Sequence, residues 1–152
     1  MIDIGEKAPG FELVSDTGET VKLSDFEGQK VVIYFYPKAN TSGCTAQACA
    51  LRDAYPQLQA HDAVVIGISP DPPDALVEFR EDHDLPFMLL SDPDHKVAEA
   101  YGAWGEKTSS GKTYEGIIRS HFVVDEEGRL VEARHNVQPL STAEIAVQLI
   151  EV

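Results

Sequence analysis

The stretch PKANTSGCTAQACALRD, residues 37–53, follows the apolar run VVIYFY at residues 31–36 and contains both cysteines of the chain, Cys44 and Cys49. The apolar run predicts a strand covered on both faces, because it does not alternate with polar residues. Residues 45–54 have a helix-forming composition, which places Cys44 in the first turn of a helix. Free N–H groups and aligned peptide dipoles at a helix N-terminus stabilise a thiolate over a thiol. We therefore interpret Cys44 as a reactive thiolate.

Length and charge limit the classes of protein to which the chain can belong. It has 152 residues, 26 acidic and 12 basic side chains and a formal net charge of −14. The length predicts a single domain, residues 1–152. The acidic balance argues against nucleic acid and anionic membranes as partners, since both require a basic face. We see neither a signal-peptide pattern nor an apolar run of roughly 20 residues, and we expect a cytoplasmic protein.

The remaining sequence predicts an α/β domain. An N-terminal hairpin is expected at residues 11–14 and 20–23, and the cysteine helix should stop or kink at Pro56. Later elements are expected at 63–68 (strand), 74–83 (helix), 87–90 (strand), 94–101 (helix), 121–125 with 130–134 (hairpin) and 142–150 (helix). Residues 102–116 are predicted to be a polar, glycine-rich excursion. This order indicates a mixed sheet, parallel where helices intervene and antiparallel at the late hairpin.

The stretch YFYPKANTSGCTAQACALRD, residues 34–53, resembles the active-site region of peroxiredoxins. It is most similar to the bacterioferritin-comigratory-protein or PrxQ group, in which the two cysteines are five residues apart. The resemblance extends over residues 64–107 and 111–133, and so covers nearly the whole chain. It implies a thioredoxin-like fold with a central mixed sheet flanked by helices and an N-terminal β-hairpin extension.

Four residues match the family's active-site pattern. Its motif Pro-x-x-x-Thr/Ser-x-x-Cys is met by Pro37, Thr41 and Cys44, and its active-site arginine corresponds to Arg119. The resemblance implies peroxide as substrate, thioredoxin as the usual reductant, no cofactor and a monomer. It also implies that Cys44 becomes a sulfenic acid, which Cys49 resolves as an intramolecular disulfide.

Three residues depart from the pattern of the group. Ser42 stands where proline is common, and His121 stands where threonine usually follows the arginine. Gln47 replaces the usual glutamate, which affects local hydrogen bonding near Cys49. Neither the Ser42 nor the His121 change removes a chemical group that the reaction needs.

The matched side chains each have a structural and a chemical interpretation. Arg119 is either a surface arginine paired with a carboxylate or a guanidinium that stabilises the thiolate and the leaving oxygen. Thr41 can cap the helix, donate its hydroxyl to the peroxide, or do both. Pro37 can end the strand or shield the sulfur. The residues alone favour Cys49 as a core cysteine, because alanines accompany it at helical spacing.

Other functions remain to be compared. The alternative is a thioredoxin-like dithiol-disulfide oxidoreductase, although such proteins usually have Cys-x-x-Cys and here four residues intervene. A zinc module would need ligand spacings that the chain lacks, and a non-catalytic scaffold would leave its thiols inert. We predict a thiol-dependent peroxidase for hydrogen peroxide and organic hydroperoxides, without metal or cofactor. Its expected catalytic residues are Cys44, Cys49, Thr41, Arg119 and Pro37.

Overall fold

The computed structural model describes residues 2–150, apart from the side chain of Ser109. Its strands are β1 (Glu12–Ser15), β2 (Thr20–Lys22), β3 (Lys30–Phe35), β4 (Ala63–Ser69), β5 (Met88–Ser91), β6 (Trp104–Ser109), β7 (Lys112–Ile117), β8 (Ser120–Val124) and β9 (Leu130–Arg134). Its helices are α1 (Ser42–Ala60), α2 (Pro73–Asp82), α3 (Lys96–Ala100) and α4 (Ser141–Ile150). Seven strands form one sheet in the order β2-β1-β5-β4-β3-β8-β9, and β6 pairs with β7 alone.

The strand β3 lies in the middle of the sheet, as its unbroken apolar run predicts. It pairs in parallel with β4 and in antiparallel orientation with β8. Alternate side chains point to opposite faces, so that Val32 and Tyr34 join one buried cluster and Ile33 and Phe35 join the other. An apolar residue is therefore needed at every position of the strand.

The helices cover both faces of this sheet. The crossovers β3-α1-β4 and β4-α2-β5 step in the same direction, so right-handed connections place α1 and α2 on one face. The same buried cluster contains side chains of α1, α2 and α4, whereas Ala98 of α3 packs on the other face. The predicted mixed sheet, flanked by helices and extended by an N-terminal hairpin at β5, is confirmed. None of the helices within residues 2–150 has the length and apolar character that crossing a membrane requires.

Most predicted elements differ from the observed ones only at their ends, but a stop of the cysteine helix at Pro56 was wrong. Instead of stopping near Ala54, α1 continues through Pro56 to Ala60. Pro56 is exposed, so the carbonyl four residues earlier, which loses its N–H partner, lies on a side of the helix that water can reach. The last turn is held instead by Leu58, which is fully buried against the sheet. Tertiary packing thus overrides the local effect of the proline.

The second error concerns the excursion predicted at residues 102–116. It contains a regular antiparallel hairpin, in which β6 and β7 pair from Trp104 with Ile117 to Ser109 with Lys112. Ser110 and Gly111 both have positive φ, of 53° and 77°, as the tightest hairpin turns require. Most side chains of β7 are exposed, so the hairpin lacks the apolar alternation by which strands are recognised in a sequence.

That the chain is a single domain over residues 1–152 stays a prediction, and Met1, Glu151 and Val152 lie outside the described residues. The sheet nevertheless explains how distant parts of the sequence meet. Phe35, the last residue of β3, pairs with Ser120, the first residue of β8. Residue 119 therefore lies at the carboxyl end of β3, at the edge of the sheet where the loop to α1 begins.

Candidate active site

Cys44 is the third residue of α1, and its side chain is almost fully enclosed. The guanidinium of Arg119 reaches it from the connection between β7 and β8, and its Nη2 donates a hydrogen bond to Cys44 Sγ at 3.4 Å. A sulfur in the first turn also lies near backbone N–H groups that have no partner within the helix. The structure therefore places a cysteine sulfur between a permanent cation and the positive end of a helix dipole.

Hydrogen bonds join the loop that precedes α1 to residues at the end of β4. The backbone N–H of Ala39 donates to Asp71 Oδ2 at 2.8 Å, and Ser69 Oγ donates to the same oxygen at 2.8 Å. Thr41 occupies the N-cap position, as expected, but its hydroxyl makes no capping bond. It donates instead to the Lys38 carbonyl at 2.8 Å, within the loop. Thr41 is exposed in this arrangement.

Arg119 is held at three points. Its Nη1 donates to Gln47 Oε1 at 2.7 Å, and its backbone carbonyl accepts a hydrogen bond from Val137 N at 2.9 Å. Gly43 lies against the guanidinium, since a β-carbon at that residue would be 3.0 Å from Nη2. Nothing local to Gly43 in the sequence predicts this close approach.

No carboxylate among residues 2–150 forms an ion pair with Arg119. The ion pairs that form in this part of the chain involve other cations. The interpretation of Arg119 as a surface arginine paired with an acidic side chain therefore does not describe this structure. Its charge faces Cys44 and the neutral amide of Gln47.

A second cation, Lys107, approaches the site from the β6–β7 hairpin. Its Nζ donates to the carbonyl of Ile117 at 2.7 Å. Burial, and secondly the charge of Arg119, lower the pKa of Lys107 from its ordinary value, whereas Cys44 acts in the opposite direction. Because this hairpin was not predicted from the sequence, Lys107 was not predicted as part of the site either.

Two tyrosines lie beneath Cys44 and carry no charge. Tyr34 and Tyr36, which end the apolar run, are fully buried in the same cluster as Cys44. Burial raises the pKa of both phenols well above its usual value, and the neighbouring cysteine adds to this effect. The two phenols near Cys44 are therefore neutral, whereas the charged side chain of Arg119 lines the groove.

An open groove with a volume of about 700 Å³ leads to the site. Its lining includes Pro37, Arg119, Lys107, Ile118 and Val137. Pro37 is half-buried, between the end of β3 and the groove. The groove therefore combines two cations and the carboxylate of Glu106 with apolar side chains.

Cys49 lies on the same helix but does not contact Cys44. Both thiols are free in this structure, and Cys49 is half-buried. Residues five apart in an α-helix have Cα atoms roughly 8.6 Å apart, rotated by about 140°, whereas a disulfide requires about 4.4–6.8 Å. The two sulfurs cannot be joined while α1 is intact. In residues 2–150, no three His, Cys, Asp or Glu side chains converge in a way that could hold a metal ion.

Behind Arg119, buried hydrogen bonds join α1 to α4 and β8. Gln47 Nε2 donates to Thr142 Oγ1 at 3.0 Å, and Thr142 Oγ1 lies 2.9 Å from His121 Nδ1. Gln47 and His121 are two of the three departures from the family pattern, and the structure brings them together through Thr142. Thr142 lies 95 residues from Gln47 in the sequence, so no local pattern predicts the contact.

His121 is enclosed between the sheet and the helices, and only 1% of its surface is exposed. Its Nε2 has no hydrogen-bond partner among the described residues. Burial lowers the pKa of His121 from 6.5 to about 4, a shift that Glu132 opposes and Arg134 reinforces. The ring is therefore neutral at physiological pH.

We expect His121 to make the protein sensitive to acid. As the pH falls below 6.5, the unfolded chain binds a proton at this histidine, whereas the folded chain does not until about pH 4. The resulting loss is about 2 kcal/mol of unfolding free energy between about pH 7.5 and about pH 5. Urea unfolding at both pH values gives the loss of unfolding free energy for each protein. The loss for His121→Thr should be smaller than that of wild type by this amount. The exposed His61 provides the control, since His61→Gln should keep the wild-type pH dependence. Equal losses in wild type and His121→Thr would contradict this expectation.

Comparison with known proteins places these features in a family context. The model of the AhpC/TSA family matches residues 4–133. The chain is 51% identical over 137 residues to peroxiredoxin Bcp of Bacillus subtilis, an alignment that covers 90% of this chain and 87% of the relative. It is 52% identical over 126 residues to peroxiredoxin Bcp of Escherichia coli K12, covering 83% of this chain and 81% of that protein.

Solved structures show the same architecture. Bacterioferritin comigratory protein of Xanthomonas campestris, studied for its alkyl peroxide reduction activity, superposes with a TM-score of 0.87 at 29% identity, over 93% of this chain and 90% of that one. A cysteine-to-serine variant of PrxQ from Xylella fastidiosa superposes with a TM-score of 0.92 at 29% identity, over 99% and 96% of the two chains.

Proposed function

Because the chain belongs to the AhpC/TSA family and, within it, to peroxiredoxins of the Bcp and PrxQ type, we propose that Cys44 is its peroxide-reducing thiolate and Cys49 its resolving thiol. The chain is a thiol-dependent peroxidase, as its relatives at about 51% identity are. The observation that best supports the assignment of Cys44 is the 3.4 Å contact between its sulfur and Arg119 Nη2, in the first turn of α1.

The proposed reaction begins when a peroxide enters the groove past Pro37 and Arg119. The Cys44 thiolate attacks one peroxide oxygen, so that an S–O bond forms as the O–O bond breaks. The leaving oxygen departs as hydroxide or alkoxide and takes a proton from solvent. Arg119 and the free N–H groups of the first turn stabilise the negative charge that develops on it, since they are already oriented before the reaction.

Thr41 and Pro37 complete the proposed site. The Thr41 hydroxyl donates to the Lys38 carbonyl in this structure. We infer that rotation about its side-chain bond redirects this proton to the bound peroxide. Pro37 has no N–H and a fixed φ, so it shields the sulfur from water without offering a competing donor.

Resolution of the sulfenic acid requires the second thiol. Cys49 attacks the Cys44 sulfur, the hydroxyl leaves as water, and an intramolecular disulfide forms. Two electrons from a dithiol, for which we propose thioredoxin, reopen it. Because this scheme uses two thiols of one chain, we further propose that the enzyme acts as a monomer, and that it acts in the cytoplasm, where such reductants are maintained.

Stopped-flow mixing of the reduced protein with hydrogen peroxide, and separately with an organic hydroperoxide, tests this function. We expect one equivalent of either peroxide to be consumed in the first turnover, and the two second-order rates rank the substrates. The alkyl peroxide reduction studied in the Xanthomonas protein is the reason to include the second substrate. A protein that reduced insulin disulfides but consumed no peroxide would support the dithiol-disulfide oxidoreductase instead.

The product of the same reaction tests the proposed unwinding of α1. Because the intact helix keeps the two cysteines too far apart, oxidation should raise amide hydrogen exchange between Ser42 and Leu51 and lower the helical circular dichroism. The mass should fall by about 2 Da per chain, without a covalent dimer on a non-reducing gel.

The turns of α1 around Leu58 supply the internal control for this exchange measurement, since Leu58 is buried against the sheet. The backbone amides around Leu58 should stay protected from hydrogen exchange in both redox states. Oxidised protein in which residues 42–51 stay protected, or in which two chains are linked, would contradict the proposed resolution.

A further inference from the structure

A continuous run of hydrogen bonds leads from Cys44, through Thr142 of α4, to His121 of β8. Arg119 bridges the sulfur, at 3.4 Å, and Gln47 Oε1, at 2.7 Å. Gln47 bonds in turn to Thr142, and Thr142 to His121, at 3.0 and 2.9 Å. The last three side chains are at most 1% exposed, so water does not compete for these bonds.

The direction of donation from Arg119 through Gln47 to Thr142 is fixed, because Arg119 can only donate. A guanidinium only donates, so the oxygen of Gln47 must face Arg119 and its amide nitrogen must face the other way. That nitrogen also only donates, so it requires an acceptor, which is the hydroxyl oxygen of Thr142. The Thr142 hydroxyl also pairs with Nδ1 of His121, and the tautomer of the neutral ring decides which of the two donates.

We propose that Thr142 is a positioning residue, which selects the amide orientation of Gln47 and thereby holds Arg119 against Cys44. The proposal rests on the proposed function of Arg119. It identifies a residue of α4, remote in sequence, as part of the machinery that orients the guanidinium.

The need for such a residue follows from the chemistry of glutamine. A carboxylate at residue 47 would accept from Arg119 through either oxygen, so its orientation would not matter. It would also neutralise part of the charge that Arg119 presents to the sulfur. Glutamine leaves that charge intact, but its amide has one oxygen and one nitrogen. If the amide were flipped, its N–H groups would face the guanidinium, which also only donates. Thr142 removes this ambiguity, because only one orientation satisfies both neighbours.

The test begins with Thr142→Val, which removes the hydroxyl and keeps the shape of the side chain. The Gln47 nitrogen then lacks a buried acceptor, so Arg119 loses its fixed partner. We expect the thiolate absorbance of Cys44 to titrate at higher pH and the second-order rate with hydrogen peroxide at about pH 7 to fall about tenfold. Thr142→Ser restores the hydroxyl and should return the titration and the rate to within about twofold of wild type.

Two further variants separate positioning from a general loss of stability. Ser15 also carries a buried hydroxyl and is 2% exposed. It lies in β1, near the edge of the sheet opposite to β8 and β9, so Ser15→Ala should leave the Cys44 titration unchanged. If Thr142→Val does not fold, Thr142→Ala removes the same hydroxyl with less bulk and is measured in its place. A folded variant without the hydroxyl whose titration and rate equal those of wild type overturns the proposal.

The sharpest test repeats the Thr142 substitution in a Gln47→Glu background. A carboxylate needs no orienting partner. In the Gln47→Glu protein, Thr142→Val should therefore lower the second-order rate with hydrogen peroxide by less than about twofold, compared with about tenfold in the wild-type protein. Equal slowing in both backgrounds would mean that Thr142 does not act through Gln47, which also overturns the proposal. Failure of the proposed function is a different result, since the wild-type protein itself would then not react with peroxide.

Discussion

Cys44→Ser is expected to abolish peroxide consumption, while Cys49→Ser still reacts once. The Cys44 sulfur is the only thiol in contact with Arg119, and a serine hydroxyl in its place is a far weaker nucleophile near neutral pH. In Cys49→Ser the attack proceeds, but the sulfenic acid has no partner and should accumulate. Mass spectrometry after one equivalent of hydrogen peroxide should show a gain of about 16 Da, which a sulfenic-acid trapping reagent then captures.

The two serine variants serve as controls for each other, because each removes one sulfur from the same helix. Both should keep the wild-type circular dichroism in the reduced state. Reaction of Cys44→Ser in a single turnover, together with an inert Cys49→Ser, would reverse the roles assigned to the two thiols. Loss of reaction in both variants would show that peroxide reduction needs the two sulfurs at the same time.

Arg119→Met should slow the reaction with peroxide by about 10²–10³-fold. The substitution removes both the charge that stabilises the thiolate and the donors that face the leaving oxygen. Stopped-flow rates measured across a range of pH separate these effects, since the first disappears at high pH, where the thiol is ionised in both proteins, and the second does not. Arg119→Lys should recover part of the rate, because lysine keeps the charge but not the planar arrangement of donors.

Arg129 provides a matched control for loss of an arginine. It is exposed and donates to the carbonyl of Gly5, away from the groove. Arg129→Met should therefore leave the peroxide rate unchanged. If Arg119→Met reached the wild-type rate at high pH, Arg119 would act only on the ionisation of Cys44 and not on the transition state.

Features that depend on neighbouring residues in the sequence were predictable. The apolar run before Pro37 predicts a central strand because each of its faces needs apolar side chains, and the observed packing confirms it. Cys44 in the first turn of a helix follows from the polar turn after that strand. The correspondence of Arg119 to the family's arginine came from the resemblance alone, since an isolated arginine carries no local signal.

Features that depend on packing between distant segments were not predictable. The continuation of α1 past Pro56 is determined by the burial of Leu58, which outweighs the missing hydrogen bond. The β6–β7 hairpin, which carries Lys107, has mostly polar side chains and so resembles a loop in sequence. The role of Gly43 appears only when the Arg119 guanidinium is placed beside it.

The proline within α1 affects how far an opened helix would unwind. In the long helix, Pro56 leaves the Arg52 carbonyl without its backbone partner, which is an energetic defect. If the proposed unwinding runs one residue past Leu51, the shortened helix has Asp53 as its N-cap and Pro56 as its third helical residue. The first four N–H groups of any helix lack internal partners, so the proline is then no longer a defect. The carboxylate of Asp53 would meanwhile lie at the new positive end of the dipole. Pro56 thus lowers the free-energy cost of unwinding the first turns of α1, and the unwound segment is expected to end just before it.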